Sequence, residues 1–304
     1  MSEKTRGYST SQATSGYTFS GGEYITVAVT GLGNSSPTAA TSRSTSEEIK
    51  LYTVTAGSAG NNGLTYQKDD DGTSKTYQFD WLSSTETISL RAWSDGKTTS
   101  PSAAVDPDGQ TFTVETTQTG SVKELLYSPS DKYGCATNNG TINIPLYHQL
   151  ARIVINVKDE KDGAPTISEI TIGYNAEGHK IPTTAEFSKP TTTNYGSWSN
   201  HADLSTVAPK LETTASTGYD YTYSAVVIPG TTTEYTAGLR LINITIGSKT
   251  YAYKITAGGI TLQAGKQYNF NITIKETGLS VTTATVSAWS DGAESNTSSI
   301  TATI

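Results

Sequence analysis

The chain has 304 residues, of which 34% are hydrophobic and only 16% are charged. That length allows one large domain or two of about 150 residues each, with a sizeable hydrophobic core in either case. The formal net charge of −7 argues against binding to nucleic acid, because phosphate recognition needs a basic face. No apolar run reaches the length of about 18 residues that a transmembrane helix needs, so the sequence predicts no membrane span.

The composition favours β-structure. Thr, Ser and Gly dominate, and Tyr occurs 18 times. β-branched and aromatic residues suit strands, whereas helical surfaces usually carry Glu, Lys, Ala and Leu. No window shows a sustained apolar repeat of 3.6 residues, so we predict an all-β protein.

The first half of the chain begins with a polar segment, residues 1–16, which we expect to be flexible. The first predicted strand follows at 17–29, where Ile25, Val27 and Val29 share one parity. A polar loop over 31–48 separates it from the next strand. The further strands predicted for this half are residues 49–54, 77–81, 87–93, 112–115 and 142–146.

The second half repeats this pattern after a boundary that we place at 147/148, which predicts domains of residues 1–147 and 148–304. Its predicted strands are residues 153–157, 167–174, 222–228, 239–246, 251–255 and 268–274. We expect the last two to be hydrogen-bonded neighbours in an antiparallel meander that turns at Ala264–Lys266. The connection 175–220 is either a functional loop or contains short strands that the pattern does not reveal.

Alternation within these strands predicts which side chains face the cores. The predicted core residues are Val27, Leu90, Ile144, Ile155, Ile228, Tyr253, Phe270 and Ile272.

Residues that could carry chemistry are few. Cys135, the only cysteine, lies in a Gly- and Asn-rich loop and is interpreted as structural rather than as a nucleophile. The three histidines are too far apart in sequence for a zinc motif. The carboxylates of 69–71 suit calcium by type, but they lack the spacing of a calcium loop and favour a solvated turn. The sequence therefore predicts no catalytic residue, metal site or cofactor.

Several short motifs occur along the chain, and their number and order are informative. HQLAR stands at His148–Arg152, QTGSVKELLY at Gln118–Tyr127, and the pattern LxxGxxYxxxI at Leu262–Ile272. The last strand ends in AWSDG at Ala288–Gly292, and the same five letters occur at Ala92–Gly96. That repeat indicates either an internal duplication or simply a buried tryptophan beside a turn. Together the motifs resemble the fimbrillin family, the type V pilins and pilus accessory proteins of Gram-negative anaerobes.

The resemblance implies two tandem transthyretin-like antiparallel β-sandwich domains. It also implies a structural or accessory subunit of a type V pilus, assembled by protease-triggered strand exchange and contributing to cell adhesion. Such a protein is exported to the cell surface, outer membrane or fimbrium, often as a lipoprotein. We accordingly interpret Met1 as the start of a trimmed mature protein, the alternative being a native cytosolic start.

The partners implied are other pilin subunits, identical or paralogous, together with host or bacterial surface ligands. The alternative is a surface lipoprotein that binds glycan or host protein without polymerising. A hydrolase is the least favoured interpretation, because the sequence lacks the familiar catalytic motifs.

Fimbrillins mature by an arginine-specific cut after their first strand. Arg6 and Arg43 are the only arginines before residue 91. A cut at Arg6 would remove only the polar N-terminal segment, whereas a cut at Arg43 would separate the first strand from the body. The resemblance therefore favours Arg43 as the processing site, with Arg6 as the second candidate.

In the family, the C-terminal segment of a neighbouring subunit takes the place of the released strand. Here the segment 293–304 ends in an alternating stretch with Ile300, Ala302 and Ile304 on one parity. We predict these residues as the donor strand. The same alternation would also suit a tail that pairs within its own domain.

Overall fold

The computed structural model describes the greater part of the chain. The described residues are 8–9, 22–30, 47–55, 63–69, 87–95, 105–119, 122–134, 142–144, 146–160, 164–275, 278–289 and 298–300. Across these ranges the regular secondary structure consists of strands, with no helix. The prediction of an all-β protein is confirmed.

Twenty strands are present in the described ranges. Those of the first half are β1 (Tyr8–Ser9), β2 (Tyr24–Thr30), β3 (Glu47–Thr55), β4 (Gly63–Asp69), β5 (Thr87–Ser94), β6 (Gln110–Thr113), β7 (Leu126–Gly134), β8 (Ile142–Asn143) and β9 (Tyr147–His148). Those of the second half are β10 (Ala151–Asp159), β11 (Ile167–Ile172), β12 (Ile181–Ser188), β13 (Ser197–Ser205), β14 (Lys210–Leu211), β15 (Tyr221–Val227), β16 (Arg240–Ile246), β17 (Lys249–Lys254), β18 (Lys266–Lys275), β19 (Gly278–Ala288) and β20 (Ser298–Ile300).

The chain divides into two compact units, and each takes a segment from the opposite half of the sequence. The first unit comprises residues 1–108, 124–148 and 189–196, and the second comprises 109–123, 149–188 and 197–304. β6 was expected among the strands of the first half, but it pairs antiparallel with β12 in the second unit. The two folding domains predicted from the sequence, 1–147 and 148–304, stay a prediction.

The first unit is built on a six-stranded sheet with the order β4-β3-β2-β5-β7-β9, in which all pairings are antiparallel. One face of this sheet carries the core, which is formed by Ile25, Val27, Val29, Tyr52, Val54, Ile88, Leu90, Ala92, Leu126, Ile144 and Leu146. The alternating residues of the first predicted strand, Ile25, Val27 and Val29, therefore all belong to this core. β2, the first predicted strand, lies in the middle of the sheet.

The second unit has a six-stranded sheet of order β14-β15-β10-β18-β19-β20 and two sheets of three strands, β11-β16-β17 and β13-β12-β6. β10 and β18 run parallel, from Arg152 opposite Gln267 to Asp159 opposite Ile274. Parallel neighbours need a long crossover connection, and here more than a hundred residues separate the two strands. Such a pairing leaves no local signal in the sequence.

The predicted meander of residues 251–255 and 268–274 is wrong. β17 pairs with β16, whereas β18 pairs with β10 and β19 in a different sheet. The rings of Tyr253 and Phe270 pack against each other with centroids 5.3 Å apart, so the two strands face each other from two sheets. Alternation reports that one face of a strand is buried, but not whether its neighbour lies beside it or opposite it.

The connection 175–220 contains three strands, β12, β13 and β14. β13 is an edge strand with mostly exposed side chains. Two of its residues, Asn200 and Asp203, have positive φ angles of 52° and 47°, and the register with β12 shifts between Thr184 and Glu186. An exposed, irregular edge strand lacks the alternation on which the sequence prediction depended.

The predicted core is confirmed. All eight residues named from the sequence are buried: Val27, Leu90, Ile144, Ile155, Ile228, Tyr253, Phe270 and Ile272. A strand with one buried face is the feature that alternation predicts best.

The crossover from β17 to β18 generates a testable prediction at Gly259, which has φ +73°. A Cβ at this position would lie 2.8 Å from Cβ of Thr232 and 3.0 Å from the carbonyl oxygen of Tyr235. Gly259→Ala should therefore lower the free energy of unfolding by about 1–3 kcal/mol more than Gly247→Ala does. Gly247 is the matched control, because it also has positive φ but open space around its Cβ position. Urea denaturation of both variants measures the difference, and equal losses would contradict the close approach.

Candidate functional site

β2, the first strand that the sequence predicted, is the natural candidate for a functional element, because the predicted processing site follows it in the chain. β2 pairs with β3 along its whole length, from Tyr24 opposite Thr53 to Thr30 opposite Glu47. On its other side it pairs with β5 from Thr26 to Thr30. β2 is therefore a central strand whose backbone is hydrogen-bonded to a neighbour on each side.

Both faces of β2 are buried. Ile25, Val27 and Val29 on the inner face have no exposed surface, while Thr26 and Ala28 on the opposite face are 5% and 1% exposed. The first group was visible in the sequence, but the burial of the second was not. A strand buried on both faces and paired on both edges occupies a closed slot.

The outer face of the slot is covered by aromatic and aliphatic side chains. Trp93 lies directly opposite Thr26 on β5, and Tyr127 lies opposite Trp93 on β7. The two rings stack with centroids 6.2 Å apart and planes inclined by 13°. Leu51 flanks Thr26 on the other side, from β3, and is also buried.

Next to this layer Arg91 forms a bidentate ion pair with Glu47. Its Nε donates to Oε1 of Glu47 over 2.7 Å, and its Nη2 donates to Oε2 over 2.5 Å. The guanidinium carbon also lies 5.1 Å from the centroid of the Trp93 ring. Two parallel hydrogen bonds from a guanidinium to a carboxylate are among the strongest side-chain contacts in proteins.

Arg91 is also anchored from the side away from Glu47. Its Nη1 donates to Oδ2 of Asp106 over 2.5 Å and to the hydroxyl oxygen of Tyr127 over 3.0 Å. Burial alone would lower the pKa of Arg91, but the hydrogen bonds to Glu47, Tyr127 and Asp106 outweigh it and raise that pKa further. Burial raises the pKa of the Tyr127 hydroxyl to about 12. The arginine therefore holds a fixed charge in a fixed place.

The predicted processing residues lie outside the described part of the chain. Arg43 belongs to the segment 31–46, which joins the end of β2 at Thr30 to the start of β3 at Glu47. Arg6 belongs to residues 1–7, before β1. By connectivity alone, a cut after Arg43 would leave no covalent link between β2 and the strands that surround it. A cut after Arg6 would leave that link intact.

The predicted donor segment is described only in part. β20 pairs antiparallel with β19, with Ser298 opposite Val286 and Ile300 opposite Ala284. β20 is the last strand in the order of its sheet. Ala302 and Ile304 lie outside the described residues. The described residues Ser298–Ile300 thus lie along a strand of their own chain, and the donor role of Ile300, Ala302 and Ile304 stays a prediction.

Three of the sequence motifs converge in the second unit. The backbone N–H of Gly265, in the LxxGxxYxxxI pattern, donates to the carbonyl of Leu150 in HQLAR over 2.9 Å. The N–H of Trp289, in AWSDG, donates to the carbonyl of Gly265 over 2.9 Å. The guanidinium of Arg152 lies 5.9 Å from the centroid of the Trp289 ring. These contacts hold β10, β18 and β19 in register.

Glu212 anchors Arg152 at this junction. Its carboxylate accepts a hydrogen bond from the hydroxyl of Ser224 and lies 3.4 Å from Arg152 and from Lys210. Burial would raise the pKa of Glu212, but the hydrogen bond from Ser224 and the charges of Lys210 and Arg152 lower it below its ordinary value. The junction is a structural cluster of paired charges.

The motif QTGSVKELLY contributes two buried polar side chains whose roles the sequence did not reveal. Gln118 donates from Nε2 to the carbonyl of Val226 over 2.7 Å and accepts the N–H of Val226 over 2.9 Å. Its amide thus replaces a neighbouring strand for one residue of β15. The carboxylate of Glu124 is hydrogen-bonded in the interior to Nδ1 of His148, the first residue of HQLAR. A buried polar side chain needs a partner, but the sequence gives no sign of which residue supplies it.

Two further expectations can be compared with the described ranges. No group of three or more His, Cys, Asp and Glu side chains gathers there to hold a metal ion. Nor does any helix among them have the length and hydropathy to cross a membrane. Cys135 and Asp70–Gly72 lie outside these ranges.

Fold and site together define an all-β protein with a double-buried central strand and a C-terminal strand at a sheet edge. The sequence matches the fimbrillin-like family over residues 11–289. The chain therefore belongs to the fimbrillin-like family, as its motifs indicated, and this family consists of fimbrial and adhesive subunits rather than enzymes.

Solved structures with similar folds come from species of Bacteroides. A candidate cell adhesion protein of Bacteroides uniformis has a TM-score of 0.63 at 15% identity, covering 95% of this chain and all of its own. One from Bacteroides ovatus has a TM-score of 0.53 at 12% identity, covering 87% of each chain. At these identities the similarity establishes the fold alone. No curated protein sequence matches the chain.

The environment of Tyr127 predicts a loss of stability at high pH. Because burial raises the pKa of its hydroxyl from about 10 to about 12, the neutral form is favoured in the folded state. The contribution of this group is complete below about pH 10 and is lost as the pH rises from about 10 to 12, by about 2–3 kcal/mol. Tyr127→Phe should be less stable at pH 7, because Arg91 loses a hydrogen bond, but it should show a smaller decline over that window. Urea titrations of both proteins at pH 9 to 12 measure the two slopes, and parallel declines would contradict the assignment.

Proposed function

We propose that the protein is a structural or accessory subunit of a type V pilus, assembled when a protease cut after Arg43 releases β2. The observation that carries the proposal is the position of β2. It is paired with β3 and β5 and buried on both faces, and the candidate processing residue lies in the segment that joins it to β3.

Loss of β2 would leave a groove that favours refilling. β3 and β5 would each present a row of unpaired N–H and C=O groups, which readily accept another strand. The inner face would also lose Ile25, Val27 and Val29, each of which stabilises the core by about 1.5–3 kcal/mol through burial. An incoming strand with the same alternation restores both kinds of interaction.

We infer that the incoming strand is the C-terminal segment of another subunit, either a copy of this chain or a paralogous pilin. Residues 300–304 read I-T-A-T-I, and β2 contains I-T-V-A-V over residues 25–29. Each presents three apolar residues on one parity. Within the described part of the tail, Ser298–Ile300 pair with β19, and on this proposal that pairing is exchanged for pairing with β3 and β5 of another subunit.

The proposal places the protein at the cell surface, in a fimbrium attached to the outer membrane, with a role in adhesion. Family membership and the names of similar structures support this placement. As part of the same proposal, the protein is a lipoprotein and contacts host or bacterial surface ligands.

A second candidate is a surface adhesin that does not polymerise. The observation that favours it is the pairing of β20 with β19 of the same chain, which would satisfy the tail without another subunit. In that case the cleaved protein would keep its own β2 and remain a monomer.

Cleavage by an arginine-specific protease distinguishes the two candidates. The unmodified chain should be cut after Arg43 and form filaments, whereas Arg43→Ala should remain monomeric. Arg6→Ala is the matched control and should still polymerise, because Arg6 precedes β2 without joining it to the body. Mass spectrometry identifies the cut, and light scattering with electron microscopy follows assembly.

Deletion of residues 296–304 tests the donor. We expect a folded monomer that is still cut after Arg43 but does not extend filaments, since the groove remains empty. A truncated chain that polymerised would eliminate the tail as the donor. A cleaved full-length chain that stayed monomeric would favour the second candidate.

A further inference from the structure

The ion pair between Arg91 and Glu47 passes over β2. Arg91 lies on β5, directly opposite Ala28, and Glu47 lies on β3, directly opposite Thr30. Because directly paired residues of antiparallel strands project on the same side of a sheet, the side chains of Arg91, Ala28, Thr30 and Glu47 all lie on the outer face. The guanidinium and the carboxylate come from strands on opposite sides of β2, so their contact must bridge that strand.

We call this bridge the strap: the bidentate pair of Arg91 and Glu47, with Asp106 and Tyr127 holding the arginine. Ala28, directly beside Arg91 on this face, has a single methyl group as its side chain and is 1% exposed. Thr30, one pair further along and directly beside Glu47, is exposed. On the outer face, therefore, the position of Ala28 is closed, while that of Thr30 is open to solvent.

The strap does not depend on β2 for its own anchorage. Its two ends lie on β3 and β5. The arginine is held by Asp106, in the segment before β6, and by Tyr127 on β7. If β2 left the sheet, both ends would stay on strands that remain in the body. An empty groove would then still carry the strap across its outer side.

We propose that the strap selects the strand that fills this groove, by admitting only a small side chain at the position of Ala28. This proposal rests on the function proposed above, because it specifies which strands a cleaved subunit accepts. The partner it fits has three apolar residues on one parity and Ala, Ser or Thr between them. A strand with a large residue beneath the strap would have to break the Arg91–Glu47 pair in order to enter.

The C-terminal segment of this chain meets that requirement in either direction. I-T-A-T-I reads the same backwards, so Thr303 lies at the Ala28 position if the strand runs like β2, and Thr301 lies there if it runs the opposite way. Ser299, the next residue on that parity, is also small. A second copy of the chain is therefore a partner that the strap would accept.

The strap can first be tested on β2 itself, in the intact and uncut chain. Ala28→Ser should leave the unfolding rate nearly unchanged, whereas Ala28→Leu should raise it at least about tenfold, since overpacking beneath a fixed ion pair is destabilising. Thr30→Leu is the matched control and should have little effect. In a Glu47→Ala background, which opens the strap, the penalty of Ala28→Leu should largely disappear. An equal penalty in both backgrounds would overturn the proposal.

Selection of a partner is tested by separating the donor and acceptor roles. The acceptor lacks residues 296–304 and is cut after Arg43, and the donor carries Arg43→Ala with an intact tail. Native mass spectrometry and titration measure the one-to-one complex. A donor with Ser299→Tyr should bind as the unmodified tail does. Residue 299 would occupy the position of Tyr24 or of Thr30, depending on strand direction, and neither position is fully buried. Of Thr301→Tyr and Thr303→Tyr, the variant whose tyrosine lies beneath the strap should bind at least about tenfold more weakly, as expected for a built-in clash.

Opening the strap in the acceptor gives the decisive comparison. With Glu47→Ala, binding should be restored for whichever tyrosine lies beneath the strap, and the restored variant reports the direction of the inserted strand. If neither is restored, or if both bind normally to the unmodified acceptor, the strap does not select. If even the unmodified donor fails to bind, the proposed function is wrong and the tail is not the partner, while the Ala28 series on the uncut chain still decides whether the strap limits side-chain size.

Discussion

The pairing of β2 between β3 and β5 is the constraint on which the rest of the first unit depends. Central strands normally form the most protected part of a sheet, because each backbone group is paired and each face is covered. Here that position is occupied by a strand near the start of the chain, joined to its neighbour by a polar segment that carries a candidate cleavage site. The strand in the middle of this sheet is thus also one that a single cut in the segment 31–46 would leave without a covalent link to its neighbours.

The second unit holds the complementary feature. The junction of Leu150, Gly265 and Trp289 fixes β10, β18 and β19 in register. Further along the chain, Ser298–Ile300 pair with β19, whereas the place of β2 offers two edges and an apolar face. On the proposed function, assembly is a competition between these two positions, decided by backbone pairing and apolar burial.

The sequence predicted much of this arrangement because alternation is a local signal. Val27, Leu90, Phe270 and Ile272 could be assigned to cores without any knowledge of their neighbours. What failed were statements about neighbours. β17 and β18 face each other from different sheets rather than forming a meander, and β6 crosses from the first half of the sequence to pair with β12. Pairing over more than a hundred residues, as between β10 and β18, depends on the closure of the whole unit.

The same distinction applies to the candidate site. The sequence predicted the first strand, and it offered Arg43 and the alternating tail as candidates, each from a contiguous stretch and a family resemblance. It did not identify Glu47 and Arg91 as partners, because a charge at the start of one strand and another inside a later strand look like ordinary solvated residues. Ala28 likewise appeared unremarkable until its place beneath their ion pair was known. Side chains that act by meeting across a third strand are visible only in three dimensions.

The central claim is that β2 leaves its slot and that a strand of another subunit takes its place. A cryo-electron microscopy map of filaments grown from the cleaved chain tests this most directly, because the strand between β3 and β5 can be traced to the chain that supplies it. The account predicts that this strand continues back to Trp289 of a neighbouring subunit, with a threonine beneath the Arg91–Glu47 pair. A map in which residues 24–30 of the same subunit still fill the slot would contradict it.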